Sequence, residues 1–178
     1  MAASGVIPQV ITNFNVYDNG TERLMGVADE VKLPDLQSKT TTLDAAGTAG
    51  ESDIPIPGQL QSLSSEINLN VTDSQFFRSI HTGGSMNVTL RGSVQTIDAA
   101  TAQVTNVPLV VVMKGLMKQV TSGSVKKSDS MGASVMIEIL YYSYRYNNNE
   151  DLDVEIDKLN NVYKIGDTDL SADISSQI

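Results

Sequence analysis

Cysteine is absent from the 178-residue chain, which excludes a disulfide framework and any thiolate metal site and leaves stability to packing and to neighbouring chains. Histidine occurs once, as His81. A Cys–His nucleophilic pair is therefore impossible, and a Ser-His-acid site would rest on a histidine at a helix end followed by two glycines. A helix-terminal histidine without chemistry is the simpler account. Charge is also scarce: 19% of residues are charged, below the usual level of about 25%, so much of the surface is expected to be covered. Twelve Lys and Arg stand against 21 Asp and Glu, for a formal net charge of -9. Phosphate binding needs clustered basic side chains that release counterions, so DNA meeting this surface should be repelled. No uncharged apolar run is long enough to span a bilayer, and the N-terminal Met-Ala-Ala-Ser-Gly-Val-Ile-Pro has neither a basic n-region nor an apolar h-region. A soluble chain made in the cytoplasm, with no membrane insertion, is expected.

Period-two alternation is present along most of the sequence and predicts an all-β chain. Val10 to Tyr17 reads as a strand, followed by Asn19-Gly20, a hairpin dipeptide whose residues tolerate positive φ. Arg23 to Leu33 reads as the return strand, with Val27, Val31 and Leu33 on one face and Asp29 intruding among them. Pro34 ends it, and residues 37–57, rich in Thr, Ala, Gly, Ser and Pro, predict a long projecting loop. Leu60 to Val71 alternates most cleanly: Leu63, Ser65, Ile67, Leu69 and Val71 on a core face, Ser64, Glu66, Asn68 and Asn70 on a wet one. N-cap candidates at 72–74, Phe76, Phe77 and Ile80 at helical spacing, and Gly83-Gly84 predict one short helix over 73–81.

Met86 to Ile97 predicts another half-buried strand. Val107 to Val120 and Gly132 to Tyr146 are apolar on both faces, with Val135, Ile137 and Ile139 on one face of the latter and Met136, Leu140, Tyr142, Tyr144 and Tyr146 largely on the other. Residues 121–131 read as a polar hairpin loop, Leu152 to Asp157 as a last strand, and the end of the chain, about 165–178, as a polar tail. One domain, 1–178, is expected, folded as a sandwich or barrel.

Sites for chemistry are few. Asp151, Asp153, Glu155 and Asp157 superficially resemble a calcium loop, but Ile156 stands where the sharp turn needs glycine and a strand explains the spacing. The Gly-rich 45–50 segment has no Gly-Lys-Ser/Thr ending. Tyr141, Tyr142, Tyr144 and Tyr146 could stack sugars, which would make the chain a small carbohydrate-binding module, but tyrosine alternating along a strand is more often core or subunit contact. No catalytic residue, cofactor or metal is assigned.

The order of features resembles the major tail tube proteins of contractile-tailed phages and phage-tail-like bacteriocins. It is carried by Asn15-Val16-Tyr17 with Asn19-Gly20, Gly26-Val27-Ala28, Val31-Lys32-Leu33-Pro34-Asp35-Leu36, the Ala46-Gly47 to Gly50 segment, Pro108, Val111-Val112-Met113-Lys114-Gly115, Tyr142, and Val154-Glu155-Ile156-Asp157-Lys158-Leu159-Asn160. The resemblance implies a β-sandwich tail-tube fold with a short flanking helix. It implies hexameric rings stacked into the inner tube through which DNA leaves the virion, assembled in the host cytoplasm. Implied partners are the sheath protein, the baseplate or tube initiator, the tail terminator, and the tape measure protein and DNA in the lumen; a bacteriocin or injection-system tube without genome cargo is the alternative. Glu66, Asn68 and Asn70 become lumen-lining candidates. Leu43, Asp44, Thr48, Glu51, Asp53, Ile54, Tyr142 and Tyr144 become inter-subunit or inter-ring candidates.

Overall fold

The computed structural model describes residues 5–18, 22–23, 28–44, 49–70, 84–147, 152–172 and 176. Its elements are all strands of a β-protein: β1 (Val6–Asp18), β2 (Glu22–Arg23), β3 (Ala28–Lys32), β4 (Ser38–Leu43), β5 (Ser52–Leu60), β6 (Ser64–Leu69), β7 (Ser85–Asp98), β8 (Val104–Thr121), β9 (Ala133–Tyr146), β10 (Val154–Asp157), β11 (Val162–Ile165) and β12 (Thr168–Asp169). The expected helix over 73–81, with His81, lies outside the described residues.

Ten strands form one sheet in the order β12-β11-β10-β9-β8-β7-β1-β2, with β3 and β6 attached to β9 beside that path. Strand β9 is the junction. Its residues 133–138 pair with β6 and its residues 141–144 with β10, so two short ribbons leave the same edge of one long strand. The core lies on one face: Met86, Val88, Leu90 and Val94 from β7, Leu109, Val111, Met113 and Met117 from β8, Val135, Ile137 and Ile139 from β9, Ile67 and Leu69 from β6. Thr96 is buried with them because its hydroxyl finds the Thr105 carbonyl at 3.2 Å and the Thr105 hydroxyl at 2.9 Å, which removes the cost of burying it unpaired.

Bulges account for several departures from the alternation. In β9, Lys114 pairs with Tyr141 while Gly115 pairs with Ile139, so Leu140 is an extra residue. Parity switches there, and Tyr142 falls on the same face as Ile139 instead of the opposite one. In β3, the shift between Ala28 and Glu30 makes Asp29 the extra residue; Ala28 and Val31 then both pack against the core while Asp29 stays exposed. The single return strand expected over Arg23 to Leu33 is instead two pieces: Glu22–Arg23 returns to β1, and β3 pairs with β6.

Within the stretch expected to be a loop, the described residues include two strands. Strands β4 and β5 pair antiparallel as a separate two-stranded sheet, an arm standing outside the main one. Proline at 55 and 57 and threonine at 40–42 blur its alternation in the sequence. The core strand expected over Leu60 to Val71 begins only at Ser64, because Leu60 closes β5 against Ser38 and 61–63 turn the corner. The chain also continues in β structure past Asp157: β11 pairs with β10 and β12 with β11. Tyr163 anchors this end in the core, its amide donating to the Ser171 hydroxyl at 3.1 Å while that hydroxyl donates to Asp169 at 2.8 Å.

Candidate functional site

Three surfaces stand out. The first is the free side of β1. Residues 6–16 pair with β7 on one edge, and among the described residues only β2 adjoins the other edge, at Tyr17 and Asp18. An open edge of this length presents unpaired amides and carbonyls to any matching strand. Beyond Leu109, β8 also has no strand partner on its far side among the described residues, so the ends of β1, β7 and β8 form a three-stranded blade. Cross-strand pairing places Ile7, Ile97 and Val104 in one row on one blade face and Ile11, Val94 and Val107 in a row on the other. Val10 and Ile11 are 56% and 52% exposed, an apolar surface in the class that marks protein contact. Adjacent apolar pairs, Val6-Ile7 and Val10-Ile11, are the sequence signal of a strand buried on both faces, and sequence reading missed it.

The second surface is the polar face of β6. Glu66 stands between Lys32 and Met136, and Asn68 between Glu30 and Ser134, with the Asn68 amide donating to Glu30 Oε2 at 3.1 Å. Glu66, Asn68 and Asn70 are half-buried, and Leu63, Ser65, Ile67 and Leu69 take the opposite, fully buried side. The three lumen candidates therefore do share one side of one ribbon, as their spacing predicts.

The third surface is the β4–β5 arm. Register puts Thr41 beside Ile54 and Leu43 beside Ser52, so Leu43 and Ile54 share a face. They are 45% and 44% exposed. On the other face Thr42 donates to Asp53 at 2.9 Å. Asp44 and Glu51 are exposed at the outer end. Thr48 lies outside the described residues.

The tyrosine cluster behaves differently. Tyr142 is 5% exposed and belongs to the subunit's own core, which withdraws it from the contact candidates; the Leu140 bulge turned it inward. Burial pushes its hydroxyl pKa up to about 12, with neighbouring Tyr144 adding to the shift. Tyr144 packs against the same core and is also pushed up, chiefly by burial and then by Asp153. Tyr141 points to the other side, where the Lys114 ammonium lies 4.8 Å from its ring centroid.

The carboxylates near β10 are engaged in shaping the chain. Asp153 accepts from the Tyr146 amide at 2.6 Å, and Asp157 accepts from the Leu159 and Asn160 amides at 3.0 Å each. The Asn160 side chain and these amides hold the Asp157 carboxyl below the usual range, and Lys114 adds to the effect. Asp151 lies outside the described residues, and among the described residues no group of His, Asp or Glu is arranged to hold a metal.

A β-sheet with an open apolar edge, a separate arm and a tyrosine-anchored end matches one family over nearly its whole length: the sequence profile of phage tail tube protein FII aligns with residues 8–178. The chain belongs to that family. The tail tube protein of Escherichia phage P2 is 28% identical over 166 residues, covering 92% of both chains. Among solved structures, the cryo-EM structure of the PVC extracellular contractile injection system in its extended state is similar in fold. A chain of its sheath/tube terminator superposes with a TM-score of 0.50 at 16% identity, over 78% of this chain and 96% of that one. A chain of its sheath-tube complex gives 0.50 at 15% identity, over 78% and 91%. The fold of this tail tube family member is thus that of contractile-system tube components, and its conspicuous surfaces are edges and faces, with no catalytic constellation among the described residues.

Proposed function

We propose that six copies of this chain close into a ring and that rings stack into the inner tube of a contractile tail, the channel for DNA leaving the virion. The observation that carries this reading is the unpaired edge of β1 with its exposed Val6, Ile7, Val10 and Ile11. An edge of that length is safe only when another strand covers it, and a closed ring covers every such edge at once. The protein acts as structural material and catalyses nothing.

In this assembly the polar side of β6, with Glu66, Asn68 and Asn70, lines the lumen. A channel for DNA works best when acidic and amide groups face the polymer, since fixed cations would bind phosphate and hold it. The arm reaches the neighbouring ring. The sheath packs outside, a baseplate initiator and a terminator bound the ends, and the tape measure protein occupies the lumen before DNA. Assembly takes place in the host bacterial cytoplasm, before the tube joins the virion.

A second reading keeps the tube and removes the genome: a bacteriocin or injection-system tube. The likeness to tube components of an extracellular injection system favours it as the alternative. Negative-stain electron microscopy at rising protein concentration, with and without baseplate, tests both readings. Sixfold rings or hollow tubes support the assembly; single particles under both conditions overturn it.

A further inference from the structure

The face of the sheet turned away from the core carries a cavity of about 520 Å³ beside the β10–β11 turn. One cross-strand row passes through it: Asn87 on β7, Lys114 on β8, Tyr141 on β9 and Asp157 on β10. Leu116 and Leu159, 44% and 76% exposed, line it together with Met86 and Leu140. A concavity of this size, with apolar walls and a few polar groups, is the usual form of a binding site.

The polar groups narrow what can fill it. The Lys114 ammonium lies 4.8 Å from the Tyr141 ring centroid, in the wall of the cavity. An aliphatic occupant would strip water from that ammonium and return nothing. A second cation would be repelled by it, and Asp157 has little left to offer such a cation. Its carboxylate already accepts from the Leu159 and Asn160 amides at 3.0 Å each and from the Asn160 side chain at 2.7 Å. An anion would meet that same carboxylate. An aromatic ring fits all three groups, because its face attracts the ammonium while its body covers the leucines. Asn87 adds a further demand. Its Oδ1 is buried without a hydrogen-bond partner among the described residues, and Asn amide torsions are soft enough for a turn to offer this acceptor to the cavity. The ring should therefore carry a donor, as indole and phenol do.

The chain does not supply such a ring itself. It contains no tryptophan. Tyr17 lies under Arg91, Tyr141 is part of the cavity wall, and Tyr142, Tyr144, Tyr146 and Tyr163 pack in or against the subunit's own core. We propose that the cavity between Lys114, Leu116 and Leu159 receives a tryptophan or tyrosine side chain from a protein other than this chain. The ring lies against the Lys114 ammonium, and its N–H or O–H donates to Asn87 Oδ1. The site stands apart from the open β1 edge and does not depend on ring closure.

Saturation-transfer NMR on the purified chain, with capped amino acids as probes, tests this directly. N-acetyl-tryptophanamide and N-acetyl-tyrosinamide should bind, N-acetyl-phenylalaninamide should bind several-fold more weakly, and N-acetyl-leucinamide more weakly still. Lys114→Met should lower the affinity for the aromatic probes about fivefold, while Lys114→Arg, which keeps a cation, should preserve it. Asn87→Leu should erase the advantage of tryptophan and tyrosine over phenylalanine. Because this change removes an unpaired acceptor, the fold should be spared. No saturable transfer to the aromatic probes, leucinamide binding as well as tryptophanamide, or affinities indifferent to Lys114→Met would each overturn the assignment.

Discussion

Gly115 on β8 lies directly against Glu138 on β9, so closely that a β-carbon added to Gly115 would overlap the Glu138 carbonyl oxygen. This approach sits beside the Leu140 bulge, where the two strands change register. Gly115→Ala must push backbone against backbone and should destabilise the subunit by about 1–3 kcal/mol. Gly92→Ala is the internal control, since its nearest neighbour, the Phe14 β-carbon, would stand at an ordinary 3.6 Å. It should be neutral or stabilising by up to about 1 kcal/mol, through reduced freedom of the unfolded chain. Urea unfolding of both variants separates the two cases.

Alkaline unfolding should depend on Tyr142. Its pKa is about 12 in the fold against 10.0 ordinarily, so the folded chain holds the proton more tightly than the unfolded one. The contribution is complete below pH 10 and is lost as pH rises through 10 to 12. Its size is roughly 2–3 kcal/mol, from two pKa units. Tyr144 and Tyr163, both shifted upward by burial, add loss in the same direction. Denaturant midpoints measured from pH 9 to 12 should fall, and Tyr142→Phe should flatten the decline.

Glu138 ties three segments together. It accepts from the Ser62 hydroxyl at 2.6 Å and faces Lys158 at 3.5 Å, while Lys158 also donates to the Gln61 carbonyl at 3.0 Å. These contacts fix the root of the arm against the β10–β11 turn. Lys158→Ala should cost about 1–2 kcal/mol, since a half-buried charge-assisted bond is lost along with the ion pair. Thermal melting should report that loss, and proteolysis should cut sooner between Leu60 and Ser64.

Shortening the arm should separate folding from stacking. Replacing residues 42–53 by a tight turn removes, among the described residues, exposed surface and no core side chain. The melting temperature should stay close to that of the full chain while tubes shorten or vanish in electron micrographs. Tubes of full length would show that stacking does not use the arm.

Glu66→Lys should leave rings and tubes intact and slow DNA release, because each subunit would then present a cation to the passing phosphates. Unchanged ejection kinetics in particles carrying the variant would place Glu66 away from the channel.

The strands with one buried face were plain in the sequence. Leu63 to Leu69 alternates without a break, and β7 does so from Met86 to Thr96, because each meets the core over its full length. The bulges hid the rest. At Leu140 the inward set changes from odd to even residues, so Tyr142 reads as outward facing although it is buried. At Asp29 a charged residue interrupts an apolar series for the same reason. The arm escaped notice because its outer half, 41–44 and 51–55, is exposed on both faces within the subunit, and only Ile56, Gly58 and Leu60 near its root show an alternating half-buried side. Which edges stay open could not be read at all, since that follows from strand order across the whole sheet.

The irregular course of β1 bears on how the chain avoids fibres. Two register shifts interrupt its pairing, between Pro8 and Val10 and between Ile11 and Asn13, and Pro8 offers no amide. A straight strand from an unrelated protein cannot satisfy such an edge along its length; only a partner shaped with the same interruptions can. The crooked border works as a key cut into the backbone, so the surface that would most endanger a crowded cell is also the one most selective about its mate.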